Sequence, residues 1–197
     1  MRNIVIIGNG IAGATAAREI RKISNDNIYI ISAESEYFYS RTALMYIYMK
    51  ELLFKDTMPY AKSFWKKNKI NLIYDLVERI DFDLKKVYLT ELGELKYDEL
   101  IFACGSTSKD LNNWSSIKGV KSLYSIHDLN AIETLTQNIV NAVVVGGGLI
   151  GIELVEMLLS RNISVDFIIK DKHFLGNQLP DADGEFLKHR FSQIKNL

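Results

Sequence analysis

The sequence predicts an α/β fold with parallel sheets, built twice from the same local pattern. Short apolar runs typical of buried parallel strands begin at Ile4 and at Ala142, and a glycine-rich turn follows each run. Each turn leads into a stretch with apolar residues at helical spacings. The first glycines of the two turns, Gly8 and Gly146, are about 140 positions apart, which indicates an internal repeat. The predicted fold class is therefore two Rossmann-like dinucleotide-binding folds, and the roughly 50 residues after Gly146 are too few to complete the second.

The first glycine-rich turn has all three glycines of the dinucleotide pattern. The strand Ile4–Ile7 runs into Gly8-Asn9-Gly10-Ile11-Ala12-Gly13, which fits G-x-G-x-x-G where a strand turns into a helix. The first glycine permits the tight turn, the second lets a pyrophosphate approach bare backbone, and the third lets helix and strand pack closely. The pattern predicts phosphate binding at Gly8, Gly10, Ile11, Ala12 and Gly13.

The helix and strand that follow complete the first unit. In the predicted helix, apolar residues recur at spacings of four, four and three, and we expect this side of the helix to pack on the sheet. These residues are Ala12, Ala16, Ile20 and Ile23. Ile28–Ile31 is the next predicted strand, and Glu34 follows it, slightly beyond the usual distance of about 20 positions from the first glycine. A carboxylate there can accept both hydroxyls of an adenosine ribose. The alternative, a doubly wound domain that binds nothing, leaves the combination of loop, strands and acid unexplained.

Composition limits the classes of partner. The 197 residues include 48% hydrophobic residues, and the 24 basic side chains balance 24 acidic ones. The protein therefore has no net charge that would attract nucleic acid or an anionic membrane. One cysteine excludes an internal disulfide, and His127 has no companion at metal-ligand spacing. The balanced charge indicates a small-molecule client, and the isolated histidine indicates that no metal is bound. Because there is no apolar run of about 20 residues and no signal-peptide pattern, we expect a cytoplasmic protein.

An aromatic-rich segment after Glu34 makes a family resemblance specific. The segment Tyr37-Phe38-Tyr39-Ser40-Arg41-Thr42-Ala43-Leu44, together with the two glycine turns, resembles the FAD-dependent pyridine nucleotide oxidoreductases. The resemblance is strongest to the branch with rubredoxin reductases and the flavin-binding portion of assimilatory nitrite reductases. It implies that Arg41 and Thr42 contact FAD, although many relatives have proline at the position of Thr42. The alternative is that Arg41 only caps a helix.

The middle of the chain alternates short elements. A short amphipathic helix with solvated lysines is predicted over Ala61–Lys67, followed by strands at Ile70–Tyr74, Val77–Ile80, Lys86–Thr90 and Glu94–Tyr97. This pattern resembles the small three-stranded crossover that the family places between the second and last parallel strands of its FAD domain. The resemblance implies that the backbone near Val77 meets the adenine.

The stretch from Tyr97 to Ser106 is similar to the family's tyrosine-aspartate, two apolar residues, then alanine-threonine-glycine-serine. The resemblance implies that Ala103, Cys104 and Gly105 lie near the FAD. Cys104 occupies the position where the family usually has threonine. Because it ends an apolar strand, we expect its side chain to be buried and to take no part in catalysis. Relatives that reduce disulfides, coenzyme A disulfide or peroxide need a thiol at the position that corresponds to the neighbourhood of Arg41. This sequence has no cysteine there, which favours a protein as the electron acceptor.

A polar stretch divides the chain. Lys109–Lys118, which includes Asn112, is the predicted linker between an FAD-binding domain at residues 1–112 and an NAD(P)H-binding domain at residues 120–197. We predict a strand at Ser122–Tyr124 and a helix that Ser125 caps and that runs to about Gln137.

The second unit repeats the first. The strand Ala142–Val145 leads into Gly146-Gly147-Gly148-Leu149-Ile150-Gly151, a helix follows with a buried stripe, and Val165–Ile169 is the next strand. That stripe is Ile152, Val155 and Leu159. The resemblance implies that NADH or NADPH binds at Gly146, Gly148, Ile150 and Gly151. Glu153 matches an acid that lies near flavin and nicotinamide in the family; the alternative is an ordinary acid of the first helical turn.

The nicotinamide preference stays open in the sequence. Ile169 and Lys170 occupy the place where an acid would bind the ribose hydroxyls of NADH. Lys170 can bind the 2′-phosphate of NADPH, while Asp171 can still serve NADH. Beyond them, the segment Gly176–Pro180 resembles the family's glutamine-leucine-aspartate segment, with Pro180 in place of the aspartate.

The resemblance implies a flavoprotein that passes hydride from NAD(P)H to FAD and electrons to a small electron-transfer protein such as a rubredoxin or ferredoxin, or onward as in nitrite reductases. The chain resembles only about the first half of that family. Two alternatives are a truncated nucleotide-binding module without turnover and a subunit that a second chain completes. Unpaired sheet edges in such a fragment predict association, which a homo-oligomer would satisfy.

Overall fold

A computed structural model describes residues 1–109 and 113–197, which form two compact units. The first unit comprises Met1–Arg41 and Phe54–Thr107, and the second comprises Thr42–Leu53 and Ser108–Leu197. Residue 112, the predicted end of the first domain and part of the predicted linker, lies outside the described residues. The division into FAD-binding and NAD(P)H-binding domains at residues 1–112 and 120–197 therefore stays a prediction. Among the described helices, none is long and apolar enough to cross a membrane.

The elements follow the predicted order, except that no strand forms at Ser122–Tyr124 and that the last helix was not predicted. In chain order they are β1 (Asn3–Ile7), α1 (Ile11–Ile23), β2 (Asn27–Ser32), α2 (Leu44–Tyr48), α3 (Lys62–Lys67), β3 (Ile70–Tyr74), β4 (Val77–Asp81), β5 (Lys86–Leu89), β6 (Gly93–Lys96), β7 (Glu99–Phe102), α4 (Ile126–Leu135), β8 (Asn141–Val145), α5 (Leu149–Ser160), β9 (Ser164–Ile168) and α6 (Asp181–Phe191).

A four-stranded parallel sheet in the order β3-β2-β1-β7 forms the centre of the first unit. Its strands are continuous apolar runs because both faces are covered. Ile4 and Ile6 pack toward α1, whereas Val5 and Ile31 pack against the antiparallel sheet β4-β5-β6. Ile70–Tyr74 is an edge strand of the parallel sheet. The crossover therefore lies between the third and last parallel strands of this unit, one strand later than predicted.

The buried face of α1 differs from the predicted stripe. Ala12 and Ile23 are exposed, whereas Gly13, Ala14 and Ala17 are buried. The third glycine of the turn sets this rotation. Since Gly13 must lie against the carbonyl of Gly8, the helix turns the face that contains Gly13 and Ala17 toward the sheet. Ala16 and Ile20 of the predicted stripe pack against the same core as partly buried residues, so the prediction is confirmed for these two and was wrong for Ala12 and Ile23.

The second unit contains a smaller parallel sheet. Among the described strands, β8 pairs in parallel with β9 and with no other strand, so this sheet has two strands. Val144 packs under α5 with Val155 and Leu158. On the opposite face Val143 and Val145 are 59% and 53% exposed, which leaves apolar surface uncovered on this side of the sheet.

Residues 42–53 pack with the second unit. Tyr48 of α2 is fully buried, and its hydroxyl donates to Thr136 Oγ1 at 2.8 Å. The Arg161 guanidinium at the end of α5 donates to the carbonyl of Tyr48 and, at 2.8 Å, to the Glu133 carboxylate. These hydrogen bonds hold residues 42–53 in the second unit, although their position in the sequence placed them in the predicted first domain.

Of the two elements predicted between Ser122 and Gln137, the helix forms and the strand does not. Ser125 begins α4 through a capping box with Asp128, which confirms the predicted helix start. The predicted strand at Ser122–Tyr124 does not form in the described chain. An isolated alternating triplet has no ladder partner there, although Leu123 is buried.

Candidate functional site

The two glycine turns have the same backbone geometry. Gly8 and Gly146 have φ of +112° and +119°, a region that favours glycine. Each donates its N–H to a carbonyl at the C-terminal end of the neighbouring strand, that of Ile31 in β2 and that of Ile168 in β9, and both distances are 2.8 Å. The repeat recognised in the sequence is therefore also a repeat in three dimensions.

Two positions in each turn are glycine because the fold requires it. A Cβ on Gly13 would lie 1.9 Å from the carbonyl oxygen of Gly8, and a Cβ on Gly151 would lie 1.9 Å from that of Gly146. In the first turn, Gly8 itself lies against the Ala103 carbonyl, where a Cβ would come within 2.1 Å of the oxygen. These contacts bring each helix start close to its strand.

The middle glycines are different because packing does not require them. Gly10 (φ −86°, ψ −171°) and Gly148 (φ −83°, ψ −178°) have extended backbones that any residue can adopt. An added Cβ at either position would meet no described atom within 4 Å. Each bare position is the N-cap of a helix, where free N–H groups favour an anion. The chain therefore fits a pyrophosphate at both turns.

The side chains next to the middle glycines are exposed. Ile11 is 70% exposed beside the first turn, and Ile150 is 52% exposed beside the second. Ala12 is also exposed. Their exposure leaves the open side of each turn accessible to a ligand.

The acid after β2 and the predicted cofactor arginine are in direct contact. The Glu34 carboxylate accepts a 2.6 Å hydrogen bond from Arg41 Nη2 and a second bond from the Tyr39 hydroxyl. Both charged side chains remain partly exposed. The Asn9 amide also donates to the carbonyl of Glu36 at 3.1 Å, which ties the glycine turn to the segment that carries this acid. The sequence did not indicate the Glu34–Arg41 pair. Thr42 follows Arg41 and is exposed.

The end of β7 lies beside the first glycine turn. Ala103 donates its N–H to the carbonyl of Ile7 at 2.8 Å and places its own carbonyl against Gly8. Cys104 is exposed, so the expectation of a buried side chain was wrong. The reason is that β7 ends at Phe102, which leaves Cys104 and Gly105 beyond the strand. Val77, at the start of β4, is half-buried and pairs with Leu89.

An open cleft of about 340 Å³ borders the second glycine turn. The backbone N–H of Leu175 donates to the Gly147 carbonyl at 2.7 Å, which joins the segment after β9 to the turn. Lys170 is exposed and is not among the residues that form the cleft. Those residues are Gly147, Gly148, Asp171, Leu175, Gly176 and Gln178. Sequence reasoning did not place Leu175 or Gln178 at this cleft, although it recognised the segment Gly176–Pro180 by its resemblance to the family.

Glu153 is the fifth residue of α5 and is half-buried. It therefore lies beyond the first helical turn, which contains no acidic residue. The alternative of an acid that the helix dipole favours in that turn does not apply. Among the described residues, no group of three potential metal ligands comes together.

Comparisons with known proteins agree on one family. The sequence profile described as pyridine nucleotide-disulphide oxidoreductase matches residues 2–195. The chain is 30% identical to NADH-rubredoxin oxidoreductase of Clostridium acetobutylicum, over 97% of this chain and 50% of the relative. It is 29% identical to nitrite reductase [NAD(P)H] of Bacillus subtilis, over 98% of this chain and 24% of the relative. The chain thus spans about a quarter to a half of the curated relatives it matches.

Solved structures share the fold. The crystal structure of the Clostridium acetobutylicum enzyme aligns with a TM-score of 0.84 at 28% identity, covering 98% of this chain and 50% of that one. The ferredoxin reductase for the CYP199A2 system from Rhodopseudomonas palustris aligns with a TM-score of 0.88 at 23% identity, over 98% and 48% of the two chains. The second likeness concerns the fold alone.

Proposed function

Because the chain belongs to the pyridine nucleotide-disulphide oxidoreductase family, we propose that it is the nucleotide-binding part of a flavoprotein reductase. FAD binds at the first glycine turn and NADH or NADPH at the second. The electrons pass to a small electron-transfer protein of the rubredoxin or ferredoxin type, or onward within a nitrite-reductase-type enzyme. The relatives named for rubredoxin and nitrite reduction support this range of acceptors.

One observation carries the proposal: two glycine turns of equal geometry each have a bare, open middle glycine. A protein that binds a single dinucleotide needs only one such turn. Gly10 and Gly148 are not required to be glycine by packing, so an approaching pyrophosphate is the physical reason for both.

The FAD site is assigned to residues of the first unit and its neighbouring segment. The backbone N–H groups at the start of α1 bind the pyrophosphate, and Glu34 accepts the ribose hydroxyls. Arg41 and Tyr39 hold the Glu34 carboxylate in place through the hydrogen bonds described above. The remaining assigned residues are Gly8, Gly10, Ile11, Ala12, Gly13, Thr42, Val77, Ala103, Cys104 and Gly105.

The NAD(P)H site is assigned to the second unit. Gly146, Gly148, Ile150 and Gly151 bind the pyrophosphate at the start of α5, and Glu153 on the same helix is assigned to the flavin and nicotinamide by its match to the family's acid. When bound, FAD supplies the exchange of electron pairs with the nicotinamide and of electrons with the acceptor. The chain's only cysteine, Cys104, lies far in sequence from Arg41, which favours a protein acceptor over a disulfide.

A second candidate is a nucleotide-binding module that needs another polypeptide before it can turn over. The exposed apolar face at Val143 and Val145 favours this candidate, because a finished sheet in the first unit is covered on both faces. Such a module would bind ADP or ADP-ribose and would retain no FAD after purification.

Matched valine substitutions at the two open glycines test the proposal. Both backbones are extended and suit valine, so Gly10→Val and Gly148→Val should each preserve folding. We expect Gly10→Val to lose FAD retention, measured by visible absorption after incubation with FAD and gel filtration, while Gly148→Val keeps it. Affinity for ADP-ribose should fall only in Gly148→Val. Unchanged flavin content in Gly10→Val would refute the FAD assignment.

A further inference from the structure

The second residue of the first glycine turn, Asn9, has a buried side chain to which the proposed function assigns no role. We propose that Asn9 is a positioning residue: it holds the segment of the ribose acid Glu34 beside the first glycine turn and thereby raises the affinity for FAD. The inference rests on the proposed function, since it assumes that FAD binds at this turn.

Two hydrogen bonds from successive residues of the turn lie on either side of Glu34 in the sequence. The Gly8 N–H donates to the carbonyl of Ile31 at 2.8 Å, and the Asn9 side-chain amide donates to the carbonyl of Glu36 at 3.1 Å. Ile31 precedes the acid by three residues, and Glu36 follows it by two. The short segment that carries Glu34 is therefore joined to the glycine turn at both of its ends.

The second glycine turn has a corresponding contact that is made in another way. Gly147 occupies the position of Asn9 in the repeated pattern, and its carbonyl accepts the backbone N–H of Leu175 at 2.7 Å. A side chain cannot make this link there, because a Cβ on Gly147 would lie 2.7 Å from Ile169 Cγ2. Both turns are thus joined at their second position to the segment that follows the next strand. The repetition indicates that the contact serves what the two units share, which is the proposed nucleotide site.

The stability of the fold does not account for Asn9. The residue is 7% exposed, and only its amide nitrogen is hydrogen-bonded, since Oδ1 accepts no hydrogen bond from the described residues. A buried acceptor without a partner destabilises a fold and offsets much of the gain from a single hydrogen bond. Glu36 is exposed, so water can replace the amide at its carbonyl. The bond therefore contributes little to folding, and we expect its effect in the placement of Glu34.

The placement of Glu34 matters because hydrogen bonds to a ribose act over a short range. Arg41 Nη2, at 2.6 Å, and the Tyr39 hydroxyl orient the Glu34 carboxylate. Neither bond joins the segment to the glycine turn, whereas the Asn9 amide does. Hydrogen bonds between a carboxylate and hydroxyl groups require roughly 2.5–3.0 Å between the oxygens. A small shift of the segment away from the turn therefore weakens the ribose contacts while the pyrophosphate stays in place.

Titration of the full, nucleotide-free chain with FAD, followed by flavin fluorescence, tests the inference. We expect Asn9→Leu, which removes the donor and approximately keeps the size, to weaken FAD binding on the order of tenfold. In a chain that already carries Glu34→Ala, the same substitution should weaken binding by no more than about twofold, because the acid that Asn9 positions is gone. Ser35→Ala is the matched control: its hydroxyl donates to the Tyr37 carbonyl within the segment, and its loss should change the affinity by less than about twofold.

Urea unfolding separates positioning from a structural role. The midpoint of nucleotide-free Asn9→Leu should stay within about 0.3 M of the midpoint of the native chain. Asn9→Ala repeats both measurements without the bulk of leucine, so that overpacking at this buried position does not decide the result.

The outcomes that would overturn the inference are distinguishable. Unchanged FAD affinity in Asn9→Leu and Asn9→Ala contradicts any role in binding. An equal loss with and without Glu34 would assign the effect to the glycine turn alone, and a loss that accompanies a clear fall in the urea midpoint would assign it to the stability of the fold. A native chain that binds no FAD would refute the proposed FAD site itself, and the positioning role would fall with it.

Discussion

Alanine at the third glycine of the first turn should destabilise the fold, whereas alanine at the second should not. In Gly13→Ala, the new Cβ starts 1.9 Å from the Gly8 carbonyl oxygen, and a backbone carbonyl cannot rotate away. Helix and turn must separate by about 1 Å, an overpacking that costs about 3 kcal/mol at the upper end of the usual range. Alanine recovers about 1 kcal/mol of helix propensity. The expected net loss is about 2 kcal/mol.

Gly10→Ala meets none of these obstacles. Its backbone is already extended, and no described atom lies within 4 Å of an added Cβ. Restricting the unfolded chain stabilises by about 0.4–1 kcal/mol, and loss of the glycine N-cap costs a similar amount. The free energy of unfolding should therefore change by less than about 0.5 kcal/mol.

Urea unfolding of the nucleotide-free chain, followed by circular dichroism, measures the difference. Gly151→Ala is the matched control, because its Cβ would meet the Gly146 carbonyl oxygen at the same 1.9 Å in the second unit. Equal stabilities of Gly13→Ala and the native chain, or equal losses in Gly13→Ala and Gly10→Ala, would refute this reasoning.

Three further predictions concern other contacts. Gly184→Ala should lower the melting temperature, because its Cβ would lie 2.6 Å from His173 Cβ; an unchanged melting curve would contradict that packing. Arg161→Met should cost about 2 kcal/mol in urea unfolding by removing charged hydrogen bonds to Tyr48 and Glu133, and Arg161→Lys should recover only part. The Arg2 backbone N–H and the Ser24 hydroxyl lower the pKa of Asp26 to about 2, so its stabilisation is complete above about pH 4 and is lost as the pH falls toward 2. Asp26→Asn should flatten that part of the acid unfolding curve, and an identical acid profile would count against it.

Local patterns in the sequence predicted what local geometry controls. The glycine turns, the buried strands on either side of them and the capping box at Ser125 each depend on a few consecutive residues. The backbone geometry of both glycine turns was therefore predictable before the structure.

Features that depend on distant contacts were not predictable in the same way. The rotation of α1 is set by one contact between Gly13 and Gly8, which outweighs the apolar stripe. Residues 42–53 join the second unit because Tyr48 and Arg161, far apart in sequence, pack together. The place of Asp171 in a cleft depends on the fold of the segment up to Gln178, and no local pattern in the sequence predicts that this segment returns to the glycine turn.

The visible absorption spectrum of the purified chain, incubated with FAD under nitrogen and then given NADH or NADPH, tests the central claim most directly. We expect flavin bands that remain after gel filtration and that NADH or NADPH bleaches. A chain that shows no flavin bands after incubation with FAD would contradict the claim that this polypeptide forms the FAD site of a reductase.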